Sequence, residues 1–390
     1  MDSLKGRLSL YLTAIVIPIP VCFALVQTAK SLEYRSSLSQ IQKSTPQRSS
    51  EGGFVSSNSC KACHPEAYHS WHQTYHRTMT QLANPDTVVG DFSGVEFEYF
   101  GATFRLERRG DEFWVRVNDG WRRVVQTTGS HHYQMYWLES DDDGGDGNLD
   151  NRLENLPIVY MIKERKWVRR NDIFLLPPDV ANQPEGIRLW NATCIACHST
   201  YGQPRVDNLD QPDTSAQTVV GELGIACEAC HGPAHDHIQH YSDPWTRYLS
   251  RLTSDSPVGI VNPAELPHDR SSEVCGQCHG ISAPSDRGEW NESGEKYRAG
   301  DELEATRRLL RHPARIDLPH NRGMSSEILD KYFWSDGMVR VSGREYNGIV
   351  ESPCFQRGNL SCISCHSMHD SDPVDQLKSD MLGDHACLQC

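Results

Sequence analysis

The chain's main chemical capacity lies in its cysteines and histidines, which come in a fixed arrangement. The pattern C-x-x-C-H appears as CKACH at 60–64, CIACH at 194–198, CEACH at 227–231, CGQCH at 275–279 and CISCH at 362–366. Two thiols three residues apart, followed at once by an imidazole, suit one chemistry: two thioether bonds to a haem and an axial ligand to its iron. On this reading Cys60, Cys63, Cys194, Cys197, Cys227, Cys230, Cys275, Cys278, Cys362 and Cys365 attach haem c, and His64, His198, His231, His279 and His366 bind iron. A sixth pair, Cys387 and Cys390, ends the sequence where the next residue would be the histidine. It reads as a truncated sixth haem motif, with more protein expected beyond it. Paired C-x-x-C motifs also build zinc sites, and a single pair can be a redox dithiol. Neither use requires a histidine directly after the second cysteine, and all five complete motifs have one.

The second axial ligand decides what each iron does. A second His or a Met makes a six-coordinate electron carrier, whereas an open position lets substrate reach the metal. Thirteen of the 18 histidines lie outside the complete motifs, enough for bis-histidine ligation throughout. His76, His237 and His369 are the leading distal ligands. His76 lies among aromatic residues able to cover a porphyrin, His237 follows the Gly232-Pro233 turn, and His369 can be presented to a neighbouring haem. His320 comes next, then His131 and His132, with a surface or hydrogen-bonding histidine as the alternative for each. Met79 and Met368 are weaker possibilities, since Met more often fills a core.

The fold expected is mostly α and irregular chain wrapped around covalent haems, with an inserted antiparallel β-rich module. Residues 1–27 hold basic Lys5 and Arg7 and then a long apolar run, which suits a signal peptide or a membrane anchor with the remainder outside the cytoplasm, on the periplasmic side. Residues 28–56, rich in Ser and Gln, read as a flexible tether. Residues 57–90 form the first haem segment. There Tyr68, Trp71, Tyr75, Met79 and Leu82 recur at helical spacing, which puts His72 and His76 on one helix face. Residues 91–176 lack cysteine and alternate apolar with polar residues around Val95–Tyr99, Phe104–Leu106 and Phe113–Val117, with further strands at Tyr133–Leu138 and Ile158–Ile162. Residues 140–151, SDDDGGDGNLDN, fail the EF-hand spacing and read as an acidic surface loop. The basic run at 163–172, KERKWVRRND, and Arg344 suit haem propionates, partner docking or a solvated face. Residues 177–390 carry the other motifs, with a capped helix expected over Asp301–Arg311. Cys354 reads as a buried thiol. The net charge of −14 argues against nucleic-acid binding and favours a redox protein partner or a small redox substrate.

CKACHPEAYHSWHQTYH and GIACEACHGPAHDH resemble haem segments of the multihaem cytochrome c-554 class, in which a distal histidine follows Gly-Pro at the position of His237. TGSHHYQMYW, ERKWVRRNDIFLLPP, DGMVRVSGREYNG and CISCHSMH resemble a group of bacterial multihaem cytochromes followed by tetratricopeptide repeats. The resemblance spans roughly 57–390 and implies a periplasmic electron-transfer module with a helical repeat array after it. The class is related in architecture to enzymes acting on hydroxylamine, nitrite and tetrathionate, but no C-x-x-C-K motif is present and no cross-linking Tyr is assignable. The function expected is therefore relay of single electrons between redox partners. The alternatives are an oxidoreductase with one open haem acting on a small nitrogen or sulfur compound, and a haem-based sensor or scaffold.

Overall fold

A computed structural model describes the chain from residue 18 to 388, apart from residues 118–119, 141–149, 174–180, 185, 187, 212, 254–256 and 313–325. His320, Cys390 and most of the acidic loop at 140–151 lie outside the described residues.

The β module is a nine-stranded sheet. Its main path runs Lys166–Arg169, Ile158–Met161, Tyr133–Glu139, Gly120–Thr128, Glu112–Val117, Ala102–Arg109, Ser93–Tyr99, antiparallel throughout. Phe104 and Leu106 point into one core with Phe113, Val115, Val124, Tyr136, Leu138 and Ile158, while Arg105 between them is exposed. That is the two-residue alternation of a strand with one wet face. Gly120–Thr128 breaks the alternation because neighbours cover both of its faces. Val124 packs in the first core, Val125 in a second, and Gln126 and Thr127 are also buried. Its sequence, GWRRVVQTT, therefore gives no period-two signal. Arg123 lies within it, ion-paired to Glu112 at 3.3 Å and Glu139 at 2.8 Å.

The second core joins the sheet to the haem motifs. Val125, Met135, Trp137, Leu153 and Val159 pack against Trp190 and Ile195 of the second motif segment, against Trp290, and against Ile41. Asn191, fully buried, fixes this joint. Its side chain accepts from Leu153 N at 2.9 Å and donates to Asn151 O at 3.1 Å and Thr218 Oγ1 at 2.7 Å.

Four local expectations are corrected. Residues 28–56 do not form a free tether. The helix Pro18–Lys43 buries Ile41 on the sheet, Gln47–Arg48 pairs in parallel with Val219–Val220, and Phe54 stacks on Tyr201 at 4.2 Å. A few apolar side chains at the right spacing are enough to dock a polar segment. The helix after the first motif is not continuous. Pro65–His72 ends, Thr74 turns to extended backbone and caps Tyr75–Thr78, and Thr80–Leu82 joins the sheet beside Gly120–Thr128. His72 and His76 thus lie on different elements. Asp301–Arg311 holds the short 3₁₀ turn Leu303–Ala305 and the strand Arg307–Leu309, which pairs with Ser282–Pro284. The Asp301 carboxylate accepts from Arg298 N rather than capping a following helix. Cys354 is exposed, because it follows Pro353 in the first turn of the surface helix Pro353–Arg357, whose inner contact is Phe355 on His268.

Among the described residues no helix is long and apolar enough to cross a membrane. Residues 8–17 of the apolar run lie outside them.

Candidate haem sites

Four of the complete motifs lie on a short helical turn: Ile195–His198, Cys227–His231, the end of His268–His279, and Cys362–Cys365. In the first motif, His64 N donates to Cys60 O at 2.8 Å, closing a similar turn. One turn brings residues three apart to the same side of the helix, so the two thiols of a motif lie near each other. Motif cysteines also meet across motifs: Cys60 with Cys227, Cys197 with Cys278, and Cys275 with Cys362. None of the described motif cysteines is paired in a disulfide.

The motif histidines are brought against distant ones. His64 faces His237 with ring centroids 6.3 Å apart, His231 faces His369 at 6.3 Å, and His279 faces His76 at 6.2 Å. Direct ring stacking would be closer, as it is for His131 on His132 at 3.8 Å. An iron held by two imidazole nitrogens at about 2 Å each separates the ring centroids by roughly 6 Å. The three spacings therefore fit a metal between the rings.

The outward ring nitrogens carry the same message. Nδ1 of His231 bonds to Val261 O at 2.8 Å, of His237 to Val258 O at 3.1 Å, of His76 to Gln376 Oε1 at 2.7 Å, and of His279 to Glu345 Oε2 at 3.3 Å. An acceptor at Nδ1 holds the proton there and leaves Nε2 as the ligand atom. Burial lowers the proton affinity of His64, His76, His198 and His231, and facing histidines lower it further for His64, His76 and His231. That favours the neutral imidazole that binds metal. The hydrogen bond from His279 holds the Glu345 carboxyl down at about 2.

Residues 180–232, which span the second and third motifs, match the family model described as cytochrome c554 and c-prime. The sequence has no match among curated proteins. The structure is similar to that of the outer cell wall cytochrome OcwA, at 15% identity and a TM-score of 0.52, over 84% of this chain and 65% of that one. The chain has the fold of a multihaem c-type cytochrome. It spans less than two thirds of OcwA. An undecaheme cytochrome from the S-layer of Carboxydothermus ferrireducens aligns at 15% identity and a TM-score of 0.40, over 87% of this chain and 42% of that one.

Not every expected ligand is brought to a motif histidine. His131 stacks on Tyr75 at 4.1 Å and on His132. His366 lies near enough to His76 to lower its proton affinity. Among the described residues no second histidine ring lies against His198 or His366. His198 is deeply enclosed, and its Nδ1 has no hydrogen-bond partner. The basic run at 163–172 contributes the edge strand Lys166–Arg169, where Arg169 pairs with Asp172 at 2.6 Å.

Three supporting residues gave no sequence signal. Gln376 and Glu345 lie far along the chain from the histidines they orient. Glu228, inside the third motif, is buried and accepts from Val55 N at 2.8 and 2.9 Å and from Ala234 N at 2.8 Å. It ties the approach to the first motif to the turn after the third. Nothing in C-x-x-C-H specifies its two middle residues.

Proposed function

We propose that this cytochrome relays single electrons along closely set, six-coordinate haems between redox partner proteins. The observation that carries the reading is the set of three histidine pairs 6.2–6.3 Å apart, each joining a motif histidine to one from another segment. His64 with His237, His231 with His369, and His279 with His76 would each hold one haem c, attached through the motif cysteines. Bound haem supplies one-electron chemistry at iron. The chain would hold each iron between two imidazoles, and it fixes four of the six, His76, His231, His237 and His279, through a hydrogen bond at Nδ1. The contacts between cysteines of different motifs support close spacing of the groups. Haem attachment at C-x-x-C-H and the basic residues before the leader's apolar run support a periplasmic location. Five haems at complete motifs, with a sixth at Cys387 and Cys390, belong to the same proposal.

A second reading, a single open iron acting on a small nitrogen or sulfur compound, is favoured only at the second and fifth motifs, where neither His198 nor His366 faces a histidine ring among the described residues. The test is haem-loaded protein given one reducing equivalent per molecule. Mass measurement should show covalent haem, and an oxidised protein acceptor should withdraw the electron. Absence of covalent haem, or electrons that no protein acceptor can collect, would overturn the relay. Tight cyanide binding at one iron of the native protein would instead support the second reading.

A further inference from the structure

Arg344 lies at the junction of two haem motifs. Its Nη1 donates to Cys278 O of the fourth motif and to Gly280 O at 3.3 Å, and lies 3.8 Å from Cys197 Sγ of the second motif. The two motifs are already in contact there, since Cys197 Sγ is 3.8 Å from Cys278 O and Cys278 Sγ is 4.0 Å from Ala196 O. The guanidinium thus sits between the cysteines that would carry the second and fourth haems. Among the described residues no carboxylate pairs with it. Arg307, the other arginine on the fourth motif, differs: it donates to Gln277 O at 2.5 Å and has Glu295 at 3.3 Å to neutralise it. The next residue along the chain has the opposite sign and a different target, Glu345 Oε2 lying 3.3 Å from His279 Nδ1.

A ferrous haem carries one positive charge fewer than a ferric one. A fixed cation in a poorly solvated site therefore favours the added electron. A carboxylate on the outward nitrogen of an axial histidine has the opposite effect, because it makes the imidazole a stronger donor to ferric iron. We infer that Arg344 raises the reduction potentials of the second and fourth haems together, and that Glu345 lowers the fourth alone. The neighbouring pair then biases electrons towards the second haem: one electron leaves one iron and enters the other, with no bond or proton moved. The inference rests on the haem-relay reading, and its test separates the two.

The experiment is a potentiometric titration, followed by visible absorption, of haem-loaded full-length protein and three variants. Arg344→Gln should lower two transitions and leave the others in place. Arg344→Lys, which keeps the charge, should restore them. Glu345→Gln should raise one transition, and that one should belong to the pair moved by Arg344→Gln. If Arg344→Gln moves none or all of them, if Arg344→Lys shifts them as far as Gln does, or if Glu345→Gln moves a transition outside the pair, the inference is wrong. Failure of every protein, wild type included, to attach haem would instead refute the relay reading.

Discussion

Replacement of Glu228 tests whether the first and third motifs are joined as described. This carboxylate is 3% exposed and accepts three backbone hydrogen bonds, two from Val55 and one from Ala234. Burial is the main influence and pushes its carboxyl from 4.5 up to about 7, with Glu222 adding to the rise and the backbone donors opposing it. The fold therefore favours the protonated form. Its contribution is complete below pH 4.5 and is lost as pH rises through 7, a difference of about 3 kcal/mol. Glu228→Gln stays neutral at all pH and keeps an oxygen where Oε1 receives both Val55 N and Ala234 N. It should match wild type at pH 5 within about 1 kcal/mol and gain on it by about 3 kcal/mol at pH 8. Glu228→Leu leaves both donors buried without an acceptor and should cost about 2–6 kcal/mol at pH 5. Urea denaturation of the haem-loaded proteins across this range is the assay. The difference between wild type and Gln cancels every other titrating group. If the Gln variant keeps the wild-type slope, or the Leu variant unfolds with wild type, Glu228 is not the joint described here.

Two other substitutions probe the supports. Gln376→Leu removes the acceptor 2.7 Å from His76 Nδ1, and loss of such an outer partner typically costs about 10–100-fold in ligand affinity. Cyanide should then displace His76 from the fourth haem at roughly 10–100-fold lower concentration than in wild type, read from the Soret band. Asn191→Leu removes three buried hydrogen bonds at the joint between sheet and second motif, and should cost about 3 kcal/mol or more in a denaturant titration. A loss below about 1 kcal/mol would mean that the joint is held by apolar packing alone.

Much of the site was legible because its chemistry is local. A thiol pair followed by histidine points to haem attachment within five residues, and the strands at 93–117 announce themselves through alternation that one wet face imposes. The distal histidines were harder, since each meets a motif distant in sequence. His237 follows the third motif but faces the first, His369 follows the fifth but faces the third, and His76 follows the first but faces the fourth. Types and neighbours marked them as candidate ligands, but only the fold shows which histidines they face. The misreadings have a common cause. Helical spacing from Tyr68 to Leu82 survived although one helix ends at His72 and Thr74 caps the next, and the polar stretch 28–56 concealed Ile41 and Phe54. In both, a few long-range contacts outweighed local composition. Arg344 stood out in sequence only as a basic residue suited to propionates, docking or a solvated face, and Glu345 not at all; the roles proposed for them come from the two motifs they touch.

The most direct test of the whole account is the EPR spectrum of ferric, haem-loaded protein beside those of His76→Ala, His237→Ala and His369→Ala. The three pairings predict that each variant converts one low-spin iron to high spin, and that the three changes add in the triple variant. A single substitution that leaves the low-spin count unchanged would contradict the pairing it was made to break.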